Sequence, residues 1–179
     1  MLPKYHSKQG HDVTVIASLV TYNEKGEPDL LEGPAEYKDS NGYTVIRLGY
    51  KKPCFWNRRF RHYQGFESKL GEISPDIIFI HGLSFGDTPI IRKYKQINPH
   101  VKVFADNHTD YINSASNWLS KWILHKIVWR HYSKVIEPYL IKCYGVTPMR
   151  CTFLKDVYRI NPSIIDFLPM GVDDDLIPK

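Results

Sequence analysis

The sequence predicts an α/β protein built on a Rossmann-like, doubly wound and mostly parallel sheet with helices on both faces. Short apolar runs rich in β-branched residues recur along the chain. Several of these runs are continuous rather than alternating, which is typical of strands covered on both faces. Helical patterns separate most of them, and strands that alternate with helices form βαβ units with parallel strands and right-handed crossovers.

Local patterns place the individual elements along the chain. Strands are predicted at residues 13–17, 43–48, 77–80, 101–105, 141–146 and 164–168. Helices are predicted at about residues 59–71, 88–97, 114–136 and 148–159. Residues 21–42 are polar and interrupted by glycine and proline, so this segment is predicted to be flexible.

The start of the sequence is unusual for a doubly wound sheet. Residues 2–10 have the pattern of a helix end, with Gly10 in the position just past it. Such a sheet normally begins with a strand and a phosphate-binding turn. We therefore expect the sheet to lack its first strand.

Composition excludes several classes of protein. The 179 residues, 42% hydrophobic and 24% charged, are ordinary for one soluble domain with a buried core. No apolar stretch is long enough to cross a bilayer, and the N-terminus lacks the apolar region of a signal peptide. Cys54, Cys143 and Cys151 are odd in number and show no CxxC spacing, which argues against a disulfide framework and a zinc site and favours a reducing compartment. No metal site is predicted.

Two of the predicted strands end in a histidine, His81 and His108. Parallel neighbours bring their carboxyl ends to one edge of the sheet, and ligands bind there in open α/β sheets. This edge is therefore a predicted substrate-binding site. Its candidate residues are His81, Gly82, Ser84, Asp106, Asn107, His108 and Asp110. The alternative is that Asp106, Asn107 and Thr109 only cap the next helix and form a turn, and the sequence leaves both interpretations open.

Residues 51–66 combine cations with aromatic rings and contain no acidic residue. With a net charge of +5, this stretch favours an anionic partner. It fits an anionic membrane surface or acidic acceptor, single-stranded nucleic acid, or a solvated loop whose rings point into the core. Nucleic acid ranks last of the three. The candidate contact residues are Lys51, Lys52, Arg58, Arg59 and Arg61.

Residues 117–136 predict a helix that is apolar on most sides. At about 100° per residue, Trp118, Trp122 and Trp129 fall on one narrow face. A helix of this kind must be covered on most sides. The tryptophan face is therefore expected to meet the protein core, a membrane surface or a protein partner.

Four segments in order resemble the N-terminal domains of GT-B-fold glycosyltransferases of family 4. They are HSKQGHDVTVIAS at residues 6–18, PDIIFIHG at 75–82, VFADNHTDY at 103–111 and LPMGVD at 168–173. Met170 stands where the family usually has asparagine. The resemblance implies that residues 1–168 form an N-terminal, acceptor-side Rossmann-like domain. Residues 169–179 would then begin the linker to a C-terminal donor-binding domain outside these residues.

The resemblance also implies an activity: retaining, metal-independent transfer of a hexosyl group from a nucleotide-sugar to a glycan or lipid-linked acceptor. The nucleotide-sugar is a co-substrate and no cofactor is implied. By position, His108 is the catalytic residue, since hydrogen-bond donors aimed at the leaving diphosphate stabilise its developing charge. Asp110 lies two places after the histidine, whereas the family aspartate follows directly. Gly171 and Asp173 would lie at the domain junction.

The same resemblance carries expectations about activity and location. Half of a cleft cannot hold donor, acceptor and catalytic groups together, so the isolated chain is expected to be inactive. The expected location is the cytoplasm, with peripheral binding to the inner face of the cell membrane as an option. Two alternatives remain: a GT-B-fold nucleotide-sugar epimerase that uses His81 and His108 for acid–base chemistry, and a non-enzymatic membrane or nucleic-acid binding module.

Overall fold

The computed structural model describes residues 2–52, 55–114 and 120–171. The chain divides into two compact units, Met1–Lys69 and Leu70–Lys179. Each unit has its own parallel strand pairing. Helix α3 begins in the residues of the first unit and ends in those of the second.

The first unit contains a mixed sheet and a separate hairpin. Its strands are β1 (Thr14–Ser18), β2 (Val20–Tyr22), β3 (Pro28–Leu30), β4 (Ala35–Lys38) and β5 (Thr44–Leu48). Its helices are α1 (Leu2–Lys8), α2 (Phe55–Phe60) and α3 (Phe66–Ile73). Strand β5 is central, parallel to β1 and antiparallel to β4, while β2 and β3 pair as an antiparallel hairpin.

The segment predicted to be flexible, residues 21–42, instead contains β3, β4 and most of β2. The hairpin closes because the Asn23 side-chain oxygen accepts hydrogen bonds from the backbone N–H groups of Lys25 and Glu27, each at 3.0 Å. Gly26 completes the turn at a φ of +76°, a conformation that costs glycine little. In the sequence, asparagine and glycine led to the prediction of a flexible segment. In the structure, the same residues form a defined turn.

The second unit has four parallel strands in the order β6–β7–β8–β9. These are β6 (Ile77–His81), β7 (Lys102–Asn107), β8 (Leu140–Gly145) and β9 (Ile165–Phe167). Its helices are α4 (Thr88–Ile97), a π-helix (Ser120–Trp129), α5 (Arg130–Ile136), α6 (Pro148–Asp156) and two 3₁₀ turns (Glu137–Tyr139 and Pro162–Ile164). This parallel sheet flanked by helices confirms the predicted Rossmann-like α/β class, and all six predicted strands are present.

The core of the second unit centres on β7. Val103 and Ala105 of this strand are fully buried, as are Phe153 and Leu154 of α6. A strand between two parallel neighbours and under helices has no solvent face, which explains its nearly continuous apolar run. The same burial places the residues at its carboxyl end close to the protein interior.

The predicted helix 114–136 differs from expectation. Its described part is a π-helix that continues into α5, and residues 115–119, including Trp118, lie outside the described residues. Trp122 is 47% exposed whereas Trp129 is 2% exposed. A π-helix advances by i→i+5 hydrogen bonds, so a spacing of seven residues no longer completes two turns. The predicted common face is therefore wrong for these two tryptophans.

The predicted helix 59–71 is also interrupted. The structure forms α2 and α3 instead, separated by Arg61 at a φ of +57° and Gly65 at a φ of +73°. Two left-handed residues end a right-handed helix because they turn the chain out of its axis. Within the described residues, none of the helices has both the length and the apolarity needed to span a bilayer.

Candidate functional site

The carboxyl ends of β6 and β7 bring three titratable side chains together. In the parallel register, His81 is the partner of Asp106. The Asp106 Oδ2 atom lies 2.8 Å from His81 Nδ1 and 3.1 Å from His108 Nε2. The two imidazole centroids are 4.4 Å apart, with their planes tilted by 59°. We call these three residues the His–Asp–His cluster; its geometry confirms that the two strand ends meet.

Asp106 is the fixed centre of the His–Asp–His cluster. Its side chain is only 2% exposed, and its Oδ1 atom accepts a hydrogen bond of 2.7 Å from the backbone N–H of Gly82. Burial raises the pKa of the Asp106 carboxyl, but the hydrogen bond and charge of His81, followed by those of His108, outweigh it and leave the pKa below its usual range. Asp106 is therefore a buried carboxylate whose two oxygens are both hydrogen-bonded.

The two histidines are the solvent-accessible members of the cluster. The His81 side chain is 71% exposed and the His108 side chain 35% exposed, although both contact the buried carboxylate. A carboxylate that accepts a hydrogen bond from an imidazole fixes the ring orientation and stabilises a positive charge on it. The cluster can therefore donate hydrogen bonds to an anion, exchange protons, or supply nitrogen and oxygen ligands to a metal ion.

Asn107 is fully buried, and its amide organises the loop after β7. Its Nδ2 donates to the carbonyl oxygens of Thr109 at 2.8 Å and Arg150 at 3.4 Å. Its Oδ1 accepts from the backbone N–H of Thr109 at 3.2 Å. These contacts match the turn-forming alternative, and a substrate contact by Asn107 stays a prediction.

The Asp110 carboxylate also stabilises the loop after β7. Its Oδ1 accepts from the backbone N–H groups of Ile112 at 2.9 Å and Asn113 at 2.8 Å, and its Oδ2 accepts from Arg150 Nε at 3.2 Å. Burial raises the pKa of Asp110, but the backbone bonds from Asn113 and Ile112 and then Arg150 lower it below its usual value. The aspartate therefore closes a turn and ties it to α6, and its proposed substrate contact stays a prediction.

Ser84 lies at one end of a chain of polar groups. Its hydroxyl is 3.5 Å from Thr109 Oγ1 and 3.3 Å from the Tyr158 hydroxyl, which is 3.0 Å from His125 Nδ1. Tyr158 and His125 are both buried. Sequence patterns did not identify His125, Arg150 or Tyr158; a histidine within an apolar helix was the one available signal, and it points equally to a core position.

A profile described as Glycosyltransferase Family 4 matches residues 2–176. The chain belongs to glycosyltransferase family 4. No curated protein matches it significantly. Membership of the family supports a glycosyltransferase-type role and confirms the resemblance drawn from the four motifs.

The other predicted site residues of this family 4 chain lie apart from the His–Asp–His cluster along the sequence. Gly171 is exposed, and Asp173 lies outside the described residues. Neither observation tests their predicted place at a domain junction. Lys51, Lys52, Arg58, Arg59 and Arg61 are all exposed, as a contact surface for an anionic partner requires.

The aromatic residues near these cations divide into two groups. Tyr63 is buried, as the core interpretation predicts. Phe55 and Trp56 are exposed, and the Trp56 ring stacks on Phe60 at a centroid distance of 5.6 Å with planes 12° apart. The core interpretation is therefore wrong for Phe55 and Trp56, which form with Arg58 and Arg59 an exposed aromatic and cationic surface on α2.

A second exposed surface lies on the π-helix. Trp122, Ile123 and Ile127 are exposed, and Lys126 Nζ lies 3.8 Å from the centroid of the Trp122 ring. This distance is within the range of a cation–π interaction. Trp129 does not take part because it is buried, which corrects its prediction as a surface contact. We call Trp122, Ile123, Lys126 and Ile127 the π-helix surface.

Proposed function

We propose that this family 4 chain supplies the acceptor side of a retaining sugar-transfer site. In the proposed reaction a nucleotide-sugar donates a hexosyl group to a glycan or lipid-linked acceptor. The observation that carries the proposal is the His–Asp–His cluster, which lies at the carboxyl edge of the parallel sheet where α/β folds bind ligands. The nucleotide-sugar acts as co-substrate and no cofactor is needed.

His108 has the central role in the proposed chemistry. As the bond between the sugar C1 and the diphosphate oxygen breaks, an acceptor hydroxyl oxygen bonds to C1 and its proton passes to the leaving diphosphate. Negative charge develops on the leaving diphosphate, and a preorganised donor aimed at that charge lowers the barrier. Asp106 contacts His108 Nε2 at 3.1 Å and so holds the orientation of the ring, which makes Asp106 a positioning residue.

His81 is the second imidazole available to the substrate. It contacts the same Oδ2 atom of Asp106 and is the more exposed of the two rings. In the proposed site it donates to a phosphate or a sugar hydroxyl. A complete cleft needs a donor-binding domain beside the acceptor side, and we propose that these 179 residues by themselves do not turn over a nucleotide-sugar.

The test uses the protein together with its donor-binding domain. Uridine, guanosine and adenosine diphosphate sugars are supplied with a membrane lipid extract, and mass spectrometry follows nucleotide release and the extended glycan. We expect His108→Gln to lower kcat by about 10²–10³-fold, as the loss of one charge-stabilising donor does. The control is His100→Gln, because His100 is an exposed histidine outside the cluster.

Two outcomes would contradict the proposal. One is an unchanged kcat for His108→Gln in a protein that remains active and folded. The other is release of a free epimerised sugar without an extended glycan, which would support the epimerase alternative, with His81 and His108 as acid and base.

We further propose that the chain binds the anionic inner face of the cell membrane. The supporting observation is the π-helix surface, in which Lys126 covers the ring of an exposed tryptophan beside two exposed isoleucines. Aromatic rings settle at lipid headgroups, aliphatic side chains enter the acyl boundary and cations attract anionic lipid. The exposed rings and arginines of α2 have the same chemistry.

Vesicle co-sedimentation tests this membrane proposal. We expect binding to vesicles with anionic phosphatidylglycerol and little binding to neutral phosphatidylcholine, with a decrease as salt rises. Ile127→Ser is expected to weaken binding, whereas Ile97→Ser is the matched control because Ile97 is an equally exposed isoleucine on α4. Equal binding by both variants, or preference for a single-stranded oligonucleotide over vesicles, would contradict the proposal.

A further inference from the structure

Resting on the sugar transfer proposed above, we propose that the hydroxyl groups of Ser84 and Thr109 bind a sugar hydroxyl of the acceptor. The buried residues Tyr158 and His125 position Ser84 for this contact. Ser84 follows β6 and Thr109 follows β7, so both hydroxyls lie at the carboxyl edge that carries the His–Asp–His cluster. Their oxygen atoms are 3.5 Å apart. We call Ser84, Thr109, Tyr158 and His125 the hydroxyl chain.

The Ser84 hydroxyl has hydrogen-bonding capacity left for a ligand. Among the described residues, it contacts Thr109 Oγ1 at 3.5 Å and the Tyr158 hydroxyl at 3.3 Å. Hydrogen bonds between two oxygen atoms are usually about 2.5–3.0 Å long, so both of these contacts are weak. A hydroxyl group can donate one hydrogen bond and accept two. A sugar hydroxyl can therefore bind at Ser84 without displacing a strong internal hydrogen bond.

Tyr158 and His125 are held in the core, which suits them to orient Ser84. Tyr158 is fully buried, His125 is 2% exposed, and His125 Nδ1 lies 3.0 Å from the tyrosine hydroxyl. The Phe153 ring makes T-shaped contacts with both, at centroid distances of 5.2 Å to Tyr158 and 5.5 Å to His125. Aromatic pairs in this geometry stabilise each other's placement. The Tyr158 hydroxyl therefore contacts Ser84 from a fixed position.

The order of donors along the hydroxyl chain decides what Ser84 offers to a ligand. The Tyr158 hydroxyl has one hydrogen, so of these two neighbours it can donate to His125 or to Ser84, but not to both. If His125 Nδ1–H donates to Tyr158, the tyrosine donates to Ser84, and the serine hydrogen is available to the ligand. In the opposite order Ser84 donates to Tyr158 and offers the ligand a lone pair. In both orders Tyr158 fixes the direction of the serine hydroxyl.

The groups at this subsite favour a neutral hydroxyl over an anion. The Ser84 and Thr109 hydroxyls are uncharged and can both donate and accept, as a sugar hydroxyl does. A carboxylate or a phosphodiester only accepts hydrogen bonds, and the imidazoles of His81 and His108 are the stronger donors for it. We therefore assign the hydroxyl chain to a non-reacting hydroxyl of the acceptor sugar.

The experiment measures the acceptor concentration that half-saturates the protein together with its donor-binding domain. A membrane lipid extract is supplied as a dilution series at saturating nucleotide-sugar, and mass spectrometry follows the extended glycan. Tyr158→Phe removes the hydroxyl and keeps the buried ring. We expect it to raise the half-saturating concentration by about 2–10-fold, as the loss of one hydrogen bond does. The change in kcat should be smaller, because a contact with a non-reacting hydroxyl contributes equally to the bound substrate and the transition state.

A double variant distinguishes positioning from a purely structural role. Ser84→Ala removes the proposed contact itself and should raise the half-saturating concentration at least as much as Tyr158→Phe does. If Tyr158 acts through Ser84, the double variant should behave like Ser84→Ala alone, whereas independent effects would multiply. Thr109→Val removes the second hydroxyl and should also weaken acceptor binding.

Tyr139→Phe is the matched control. The Tyr139 hydroxyl accepts a hydrogen bond of 2.7 Å from Gln96 Nε2, and Tyr139 directly precedes β8, at the opposite edge of the sheet. Losing this hydroxyl should leave the half-saturating concentration of the extract unchanged. Vesicle co-sedimentation of Tyr158→Phe should match that of the unchanged protein, which shows that the effect lies in the subsite and not in membrane binding.

The outcomes separate this inference from the proposed sugar transfer. If His108→Gln lowers kcat but Ser84→Ala and Tyr158→Phe leave the half-saturating concentration unchanged, the subsite is wrong and the transfer proposal stands. Effects that multiply in the double variant, or a loss of vesicle binding that accounts for the whole rise, would overturn the positioning role of Tyr158. A protein that transfers no sugar would overturn both proposals.

Discussion

The two sheets of this chain differ in the residues that come after their parallel strands. In the second unit β6 ends at His81 and β7 leads through Asp106 to His108, so titratable groups meet at the edge. In the first unit β5 leads into Gly49, whose carbonyl accepts from the backbone N–H of Gln64 at 2.8 Å. Parallel pairing alone therefore does not make a site. The residues that follow the strands decide which groups meet at the sheet edge: titratable side chains in the second unit, and a backbone hydrogen bond at Gly49 in the first.

The units also use aromatic residues differently. In the second unit Trp129 is buried in the core, whereas Trp56 of the first unit is 63% exposed. The largest predicted effect sharpens this contrast. Trp129→Ala should lower the free energy of unfolding by about 3–5 kcal/mol, because it removes a large ring and leaves a cavity. Urea denaturation followed by circular dichroism measures the change.

Trp56→Ala is the matched control for that measurement. An exposed residue away from the core should change the free energy of unfolding by no more than about 0.5 kcal/mol. Similar losses of unfolding free energy for Trp129→Ala and Trp56→Ala would show that the α2 surface is covered in solution. The proposed difference between a buried and an exposed tryptophan would then be wrong.

The second prediction concerns the close packing of β8 against α6. A Cβ added at Gly145 would lie 2.4 Å from Cys151 Sγ, 2.5 Å from its backbone nitrogen and 2.9 Å from its Cα. We expect Gly145→Ala to cost about 1–3 kcal/mol of unfolding free energy, since backbone atoms must move. Thermal and urea denaturation measure it.

A second variant separates the two sources of that cost. Cys151→Ala removes the sulfur but leaves the backbone contacts, so the double variant should recover only part of the loss. Gly33→Ala in the first unit is the control, since a Cβ there meets nothing within 4 Å. Full recovery in the double variant would show that only the sulfur, and not the backbone, limits this position.

The third prediction tests a charged side chain that holds the first unit together. Arg47 Nη1 donates to the carbonyl oxygens of Ser18 at 3.2 Å and Val20 at 3.1 Å, and its Nε lies 3.3 Å from the Tyr37 hydroxyl. Arg47→Met should cost about 1–2 kcal/mol, because part-buried carbonyl groups lose a charged donor. Arg59→Met on the exposed face of α2 should change little, and equal costs would contradict this role for Arg47.

The sequence predicted the strands of both units because a buried parallel strand leaves a continuous apolar run that is visible locally. It also placed His81, Asp106 and His108 at one edge, since the parallel topology results from alternating strands and helices. The hairpin β2–β3 was missed because it depends on the contacts of one side chain, Asn23. The role of Asp110 could not be predicted from the sequence either, since its partner Arg150 lies 40 positions away.

The interrupted helices also show what hydrophobic periodicity cannot predict. A hydrophobic pattern assumes the turn of an α-helix, and the π-helix before α5 breaks that assumption at Trp122 and Trp129. Nothing in the sequence around these residues signals the wider turn. Periodicity therefore predicted that the segment is helical, and the exposure of each tryptophan required the structure.

The smallest predicted effect is a gain in stability at α3, whose residues extend from the first unit into the second. Gly71 lies inside this helix, has no positive φ, and a Cβ added there meets nothing within 4 Å. Gly71→Ala should therefore raise the free energy of unfolding by about 0.5–1 kcal/mol, because alanine loses less conformational freedom in a helix. Gly65→Ala is the matched contrast: the space is equally open, but a φ of +73° should make alanine destabilising. If both variants shift stability in the same direction, backbone conformation does not govern these two positions, and the break between α2 and α3 must be maintained by side-chain packing instead.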